Sequence, residues 1–394
     1  MIRIDEIYSN TFWPYIQQHR PGTRVFFCDP PGRTDPDALF NLGSDTIIEN
    51  DYVFFHDQEP VHLDTFEPLF QEVCNRNTDL WSPGPPEYYA NKSFKPADSD
   101  HWIRDHNGVA IKPDQLGHVV TSERGEYLDE LTRKYGWTPH YYFYHGWACL
   151  DWFRGYDQTY LIPRARDRRP TRTFMSPNRI VAGKRDHRVL FLYNVFKNKL
   201  EDNHISAPRS CQYEHVDIQD IASKYSNIYP DISQVFADAE LPRLFSGETE
   251  QLMHSYQLGN FAEAADSLLY VPTETVYFGN RQHLTEKTFK AIALEMPFVL
   301  VAPAHSLEYL RSYGFKTFSP YIDESYDDIE DDILRIEKVT QILLDLQARS
   351  AAAKIELHQA LLPMVEYNYR HFYRGGFRDH LERELRRMLQ GLCP

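Results

Sequence analysis

The chain has 394 residues, of which 42% are hydrophobic, 25% charged and 14% aromatic. These proportions exclude a largely disordered chain, and the length predicts two or three domains rather than one core. A formal net charge of −15 disfavours a protein whose whole surface wraps nucleic acid. The charge is uneven, because residues 154–188 hold ten Lys or Arg against three Asp. Such a strip is either a solvated face or a site for phosphate groups.

The five cysteines are odd in number, and no two have C-x-x-C spacing. This pattern predicts neither a disulfide framework nor a zinc site and fits a reducing compartment. The first ten residues lack the apolar core of a signal peptide, and the longest apolar run, residues 296–304, is too short to cross a bilayer. We therefore expect a cytoplasmic protein without a membrane span, placed in the host cytoplasm if the gene is viral.

The first half of the chain predicts short strands that alternate with helices. Three β-rich runs have the length of buried strands: residues 24–29, 52–57 and 118–122. A helix is expected next, capped by Ser122 and ended by Gly136, followed by a strand over residues 140–145. The alternation predicts a layered α/β domain with a mainly parallel sheet.

A second α/β unit follows residues 163–170, which are charged, flanked by Pro and typical of a linker. Strands are predicted at 171–176, 268–273 and 297–302, and helices at 285–296, 306–313, 332–358 and 377–389, with another from residue 186. We expect an N-terminal domain over 1–165, a C-terminal domain over 166–365 and a helical tail over 366–394. The acidic run 323–332 precedes a predicted helix, where acids suit the helix dipole.

The most informative segment runs from Glu274 to Lys287, with the sequence ETVYFGNRQHLTEK. A predicted strand ends at Glu274, and a helix begins after Thr285, which is a good N-cap residue. Free N–H groups at a helix start bind anions, and Lys287 in the first turn makes physical sense beside one. A pyrophosphate would satisfy both, with Glu274 and Glu286 on hydroxyls of a ribose or sugar. The alternative is a capped helix with a solvated Glu/Lys pair.

The run YFGNRQHLTEKTFKAIALEMPFVLVAPAHSLEYLRSYGF, residues 277–315, resembles the donor-binding segment of GT-B glycosyltransferases, in particular the α1,3-fucosyltransferases. It is also similar to a group of phage and bacterial glycosyltransferases. The motifs of that group recur at residues 174–179 (FMSPNR), 187–188 (HR), 314–318 and 323–327. At Leu284 the chain departs from the fucosyltransferase pattern, because the Tyr of that pattern is missing. The resemblance therefore names neither the base nor the sugar.

The resemblance implies a GT-B-like α/β fold, with two Rossmann-like domains that face a central cleft and C-terminal helices. It implies a nucleotide-sugar-dependent transferase acting on a hydroxyl acceptor, with the nucleotide sugar as co-substrate and no cofactor. The donor-binding residues it implies are Asn178, Arg179, Arg188, Glu274, Thr285, Glu286 and Lys287. Arg179 and Arg188 would neutralise the phosphates, since charge develops on a leaving diphosphate and fixed cations lower the barrier.

No metal site is predicted. Asp35 with Asp37, and Asp98 with Asp100, match the D-x-D metal motif of the other glycosyltransferase fold, but this spacing is common by chance. The chain has no G-x-G-x-x-G sequence, so a nicotinamide or flavin enzyme is not indicated.

Polar residues follow the predicted strand at 52–57, at the strand end that faces the crevice in α/β proteins. Sugar transfer needs a group that takes the proton of the acceptor hydroxyl. We predict Asp57 and Glu59 as catalytic residues, with His56 and His145 on the acceptor side. The alternatives are a turn at residues 57–60 and a buried strand at the aromatic run 141–146.

The acceptor stays open at the level of the sequence. A 5-hydroxymethylpyrimidine in phage DNA would suit the basic strip, whereas the overall negative charge suits a surface polysaccharide or a protein. A non-catalytic protein of the same fold that binds nucleic acid or glycan is a further alternative. The sugar, the nucleotide, the stereochemical outcome and the oligomeric state do not follow from the sequence.

Overall fold

The computed structural model describes residues 7–20, 24–28, 52–56, 116–159, 162–181, 185–211, 216–245 and 257–394. The chain divides into two compact units, Met1–Asp151 with Leu381–Pro394, and Trp152–His380. Parallel sheets and many helices make it a mixed α/β protein, as predicted. The predicted boundaries at residues 165 and 365 stay predictions. Within the described ranges, none of the helices has the length and apolar character needed to span a membrane.

The first unit contains a four-stranded parallel sheet. Its strands, in sheet order, are β1 (Arg24–Cys28), β2 (Tyr52–His56), β3 (Leu116–Thr121) and β4 (Thr138–Tyr141). In register, Phe54 of β2 lies between Phe26 of β1 and Val119 of β3. The runs predicted at 24–29, 52–57 and 118–122 are therefore confirmed as strands, each to within two residues at either end.

Helices of the first unit begin with a π-helical turn, Tyr8–Phe12, and α1 (Trp13–His19). After a two-residue strand, Arg124–Gly125, comes α2 (Glu126–Tyr135). It ends at Gly136, whose φ of 73° lies in the left-handed region that glycine adopts without strain. The predicted cap at Ser122 is wrong, because the N-cap residue of α2 is Gly125. Ser122 is buried three residues earlier in the chain.

The predicted strand over residues 140–145 is also partly wrong. Strand β4 ends at Tyr141, and α3 (Tyr144–Trp152) begins three residues later. Tyr and Phe have high strand propensity, but seven of the nine residues of α3 are buried. A helix covered on most sides shows no amphipathic period, so local pattern alone does not distinguish it from a buried strand.

The second unit is built on a parallel sheet with the order β9, β5, β6, where β5 is Arg172–Ser176, β6 is His204–Ile205 and β9 is Ser267–Tyr270. Two-residue strands β7 (Ser210–Cys211) and β8 (Val216–Asp217) form an antiparallel pair. The predicted strand at 297–302 extends the sheet irregularly. It makes parallel bridges from Phe298 to Tyr270 and from Val301 to Thr273.

The remaining elements are helices, apart from a two-residue strand at Arg281–Gln282. In chain order they are α4 (Tyr156–Thr159), a 3-10 turn (Ala165–Asp167), α5 (Asp186–Lys197), α6 (Ile218–Ser223), α7 (Ile232–Asp238), α8 (Phe261–Asp266), α9 (Glu286–Ala293), α10 (Ser306–Ser312), a 3-10 turn (Ser325–Asp328), α11 (Asp332–Gln347), α12 (Ala351–Tyr373) and α13 (Gly376–Leu392). Helix α5 packs against α6, α7 and α11, and α9 packs against α12. The helix predicted at 332–358 is two helices that meet at residues 348–350.

Residues 163–170 are part of the second unit rather than a solvated linker. Arg168 is buried and donates to the carbonyl oxygens of Leu294 (2.6 Å) and Glu295 (3.1 Å). Arg164 makes a bidentate pair with the Glu295 carboxylate, at 2.8 and 2.5 Å. Both arginines contact Leu294 or Glu295, the two residues that follow α9. Their positive charges therefore lie near the C-terminal end of α9, where the helix dipole favours cations. Two arginines of the basic strip, Arg164 and Arg168, therefore have partners within the protein itself.

The acidic run caps helices. Asp331 accepts from the backbone N–H groups of Ile333 and Leu334 at the start of α11, both at 2.9 Å. Asp327 accepts from the N–H of Leu307 in α10, at 3.0 and 3.1 Å. Carboxylates satisfy N–H groups that have no partner inside the helix. The dipole argument is thus correct for α11, and one acid of the same run serves a different helix.

Candidate functional site

Two helices of the second unit begin at the same edge of its parallel sheet. Helix α5 follows β5, and α9 follows the segment that continues β9 to Glu274. That segment stays in the sheet, because the N–H of Val271 donates to Met175 (2.8 Å) and the N–H of Glu274 donates to Val301 (2.9 Å). The carboxyl ends of parallel strands are where ligands bind in open α/β sheets. This edge is therefore the candidate site.

The Glu274 carboxylate lies at the start of α9 and is fully buried, with 0% of its surface exposed. One oxygen, Oε1, accepts from the N–H of Thr285 (3.2 Å) and from the N–H (3.2 Å) and hydroxyl (2.6 Å) of Thr288. The other, Oε2, accepts from the N–H of Thr275 (3.3 Å) and from the N–H (3.2 Å) and hydroxyl (2.5 Å) of Thr285. Both oxygens are engaged within the protein, so Glu274 orders the start of α9 where the sequence had suggested a ribose or sugar hydroxyl as its partner.

The backbone of the same strand end holds the first turn of α5. The Glu274 carbonyl accepts from His187 Nε2 (3.0 Å) and from Arg188 Nη2 (3.1 Å). Arg188 also donates to the carbonyls of Thr273 (3.0 Å) and Ile180 (2.6 Å). Glu274 thus touches both helix starts, one through its carbonyl and the other through its carboxylate. The two N-termini are tied to a single residue.

His187 and Arg188 are buried in the first turn of α5. Burial, with neighbouring arginine charges, holds the pKa of His187 well below its ordinary value and lowers the pKa of Arg188 to about 9. At neutral pH the imidazole is therefore neutral and the guanidinium charged. Because a carbonyl only accepts, His187 carries its proton on Nε2. Within the described ranges, His187 Nδ1 and Arg188 Nε have no hydrogen-bond partner.

Lys287 and Glu286 form a close pair at the start of α9. The Lys287 ammonium donates to Glu286 Oε1 (2.9 Å) and to the hydroxyls of Thr275 (2.9 Å) and Thr285 (3.2 Å). Thr285 is the N-cap, as predicted, and its side chain accepts from the N–H of Lys287. The Glu286 side chain is only 9% exposed and that of Lys287 is 25% exposed. The pair is largely enclosed rather than solvated, and the ammonium is its more exposed member.

Aromatic rings pack beside the start of α5. The His187 ring stacks on Tyr277, with centroids 4.9 Å apart and planes 10° apart. The Arg335 guanidinium lies over the Tyr277 ring, 4.4 Å from its centroid. Buried Arg335 also donates to the Tyr277 carbonyl (3.1 Å), which fixes the backbone there. These contacts hold Tyr277 in place beside the start of α5.

Comparison with protein families, with curated proteins and with solved structures finds no match to this chain.

The structure brings together most of the residues that the sequence assigned to the donor. Thr285 bonds to the Glu274 carboxylate, and Lys287 bonds to Thr285 and to Glu286. Arg188 bonds to the Glu274 carbonyl. Asn178 is buried nearby, where its Oδ1 accepts from the Thr273 hydroxyl at 2.8 Å. Arg179 lies half-buried in the loop after β5.

The sequence analysis did not single out Arg185, Tyr277 or Phe278. Arg185 holds the N-cap position of α5, and its charge lowers the pKa of both His187 and Arg188. The available signal was its position directly before a helix that follows a strand. Tyr277 and Phe278 carry no motif of their own, and only the fold places them beside His187.

The predicted acceptor side is described only in part. Asp57 and Glu59 lie outside the described residues, as do the aspartates of the two D-x-D pairs. His56 is the last residue of β2. His145 lies in α3 with 4% of its surface exposed, so the strand end predicted for it is a buried helical position. Among the residues that are described, no group of His, Cys, Asp and Glu could hold a metal ion.

Proposed function

We propose that this protein is a nucleotide-sugar-dependent glycosyltransferase that moves a sugar to a hydroxyl group. The observation that carries the proposal is the pair of helix N-termini held by Glu274, with the cations Arg185, Arg188 and Lys287 around them. The N-terminus of α5 and fixed cations together favour a diphosphate, because both interact with its negative charge. At the start of α9 the Glu274 carboxylate already accepts from the N–H groups of Thr285 and Thr288, so that helix contributes Lys287. Three of the motifs that resemble glycosyltransferases, residues 174–179, 187–188 and 285–287, lie at these strand ends and helix starts.

A second observation points to a ligand at the start of α5. The atoms His187 Nδ1 and Arg188 Nε are buried and unpartnered within the described ranges. A buried polar atom without a partner is costly, and a bound ligand that supplies the partner removes that cost. Arg188 Nε is a donor that an anion would satisfy, whereas His187 Nδ1 carries no proton and would accept from a hydroxyl or N–H group of a ligand. The arginine atom therefore supports an anion site at the start of α5.

In this proposal Arg185, Arg179 and Lys287 contact the diphosphate of the donor. Glu274 acts through them, because its carboxylate binds backbone and threonine groups of the protein. The two Nη atoms of Arg188 bind backbone carbonyls, which leaves its Nε, unpartnered among the described residues, for the ligand. Charge develops on the leaving diphosphate during transfer, and cations already in place stabilise it without reorganisation. Glu286 orients Lys287 through their 2.9 Å contact.

We propose the GT-B arrangement for the whole chain, with two Rossmann-like domains that face a cleft. Asp57 and Glu59 are the proposed bases for the acceptor hydroxyl, with His56 beside them. The proposed acceptor is a 5-hydroxymethylpyrimidine in phage DNA, which must leave the base stack to react. Transfer to polysaccharide or protein, or binding without turnover, is an alternative outcome of the assays below.

The first test is thermal unfolding with UDP, GDP, CDP and dTDP, without added metal. A ligand at 100 times its Kd stabilises the native state by about 2.7 kcal/mol. We expect one diphosphate to raise the unfolding temperature by several degrees. The absence of any rise, with and without Mg²⁺, would contradict the proposal. A diphosphate that binds is then supplied as its nucleotide sugars, with hydroxymethylated DNA and with glycans as acceptors.

Lys287→Ala tests the site itself. A hydrogen bond to a charged group contributes about 1.5–3 kcal/mol, so diphosphate affinity should fall about 10- to 150-fold. The matched control is Lys338→Ala, which removes another helical lysine that pairs with a carboxylate, Asp323, at 2.7 Å. The control should bind as the wild type does. Equal affinity in both variants would remove Lys287 from the site.

A further inference from the structure

Phe278 lies beside the candidate anion site. Its ring centroid is 5.8 Å from that of His187 and 5.4 Å from that of Tyr277. Its plane makes angles of 81° and 87° with those two rings, so it stands perpendicular to the stacked pair. Edge-to-face packing of this kind is a favourable aromatic geometry. Phe278 is therefore held in place by two neighbouring rings.

The backbone on both sides of Phe278 explains why its ring keeps exposed surface. Val276 and Tyr277 are buried, whereas Phe278 is half-buried and the next two residues, Gly279 and Asn280, are exposed. Gly279 has a φ of 81°, in the left-handed region, and nothing lies within 4 Å of the position that a Cβ would occupy. The chain therefore turns outward immediately after the ring.

The His187 ring lies between Phe278 and the cations of the site. His187 packs against the Phe278 ring. Besides burial, the charges of Arg188, Arg185 and Lys287 lower the pKa of His187, so these cations lie close to it. An aromatic ring at the edge of a diphosphate site lies where the nucleoside part of the same ligand would extend. Every nucleobase has a face that stacks on an aromatic ring.

We infer that Phe278 is a nucleobase-stacking residue, and hence that this site takes a nucleoside diphosphate in preference to a bare phosphate or pyrophosphate. The inference rests on the proposed function. Stacking of one base on an aromatic side chain changes affinity by about 5- to 150-fold. Stacking does not distinguish the bases, so the choice of base belongs to other residues.

The test compares nucleoside diphosphate with inorganic pyrophosphate, by calorimetric titration of the full chain. Phe278→Ala removes the ring, and Phe278→Leu keeps an apolar contact with His187 and Tyr277 without an aromatic face. Both variants should bind the best nucleoside diphosphate about 5- to 150-fold more weakly and leave pyrophosphate affinity within about twofold of the wild type. Phe278→Trp should bind the nucleoside diphosphate about as tightly as the wild type, because it keeps an aromatic face. The control is Tyr321→Ala, which removes an exposed ring elsewhere in the same unit and should change neither ligand.

The possible failures are distinguishable. A wild type that binds pyrophosphate as tightly as every nucleoside diphosphate would overturn the stacking inference and leave an anion site. Variants that keep full nucleoside diphosphate affinity would overturn it as well, because the ring would then make no contact with the base. Variants that lose both ligands equally would also overturn it, because the ring would then only support the structure of the site. A wild type that binds no diphosphate at all would overturn the proposed function instead.

Discussion

Glu274→Gln is the sharpest test of how the candidate site is built. The amide keeps one oxygen, and with it the bonds from the N–H and hydroxyl of Thr288. An NH₂ group in place of Oε2 then faces the N–H of Thr275, the N–H of Thr285 and the Thr285 hydroxyl. The hydroxyl can rotate and accept, but two backbone donors cannot. The substitution preserves shape and changes only charge and hydrogen bonding.

The expected cost follows from these contacts. The Thr285 N–H lies 3.2 Å from both oxygens and keeps one acceptor, whereas the Thr275 N–H loses the one acceptor it has among the described residues. A buried donor left unsatisfied costs about 1–3 kcal/mol. The lost negative charge at the start of α9 costs about 0.5–2 kcal/mol more. We therefore expect the second unit to lose about 1.5–5 kcal/mol of unfolding free energy.

Hydrogen exchange measured by mass spectrometry locates the effect. Peptides that cover Thr275 and the start of α9 should exchange faster in Glu274→Gln, because the Thr275 amide loses its acceptor and the Thr285 amide keeps one of two. Urea unfolding followed by circular dichroism gives the free energy. The matched control is Asp331→Asn at the exposed start of α11, since Asn is as good an N-cap as Asp. Exchange and urea midpoint both unchanged in Glu274→Gln would refute the reasoning.

Two further predictions concern the two units separately. In the first unit, burial, then His118 and then Arg20, lower the pKa of His140 to about 4. An unfolded histidine binds a proton near pH 6.5, so the contribution of neutral His140 is complete above that pH and declines as the pH falls towards 4. The urea midpoint, measured at pH 7, 5.5 and 4.5, should fall less steeply with decreasing pH in His140→Gln than in the wild type. An equal pH dependence in the two proteins would contradict the lowered pKa of His140. In the second unit, Glu295→Ala removes the acceptor of Arg164 and of the Ala165 N–H, the latter at 2.9 Å. Because Arg164 is partly exposed, we expect a loss of about 2–3 kcal/mol, measured by urea unfolding, and a loss under about 0.5 kcal/mol would show that the pair is solvated.

Several elements follow from residues that are neighbours in the sequence. The strands β1, β2, β3 and β5 are runs of β-branched and aromatic residues, and each lies close to its predicted position. Gly136 ends α2, and Thr285 caps α9, because a turn or a cap depends on a few adjacent groups. The same local reasoning identified the segment from Glu274 to Lys287 as the most informative one.

Tertiary structure decided which partner each polar group finds. Asp327 caps a helix that begins about twenty residues earlier, and Arg164 pairs with Glu295, 131 residues away. Glu274 meets Thr285 and Thr288 because the chain turns back across the sheet edge. A local pattern shows that a carboxylate is present but not whether a ligand or a backbone N–H will satisfy it. That choice is made by burial, since a charge removed from water must bind the donors that the fold places around it.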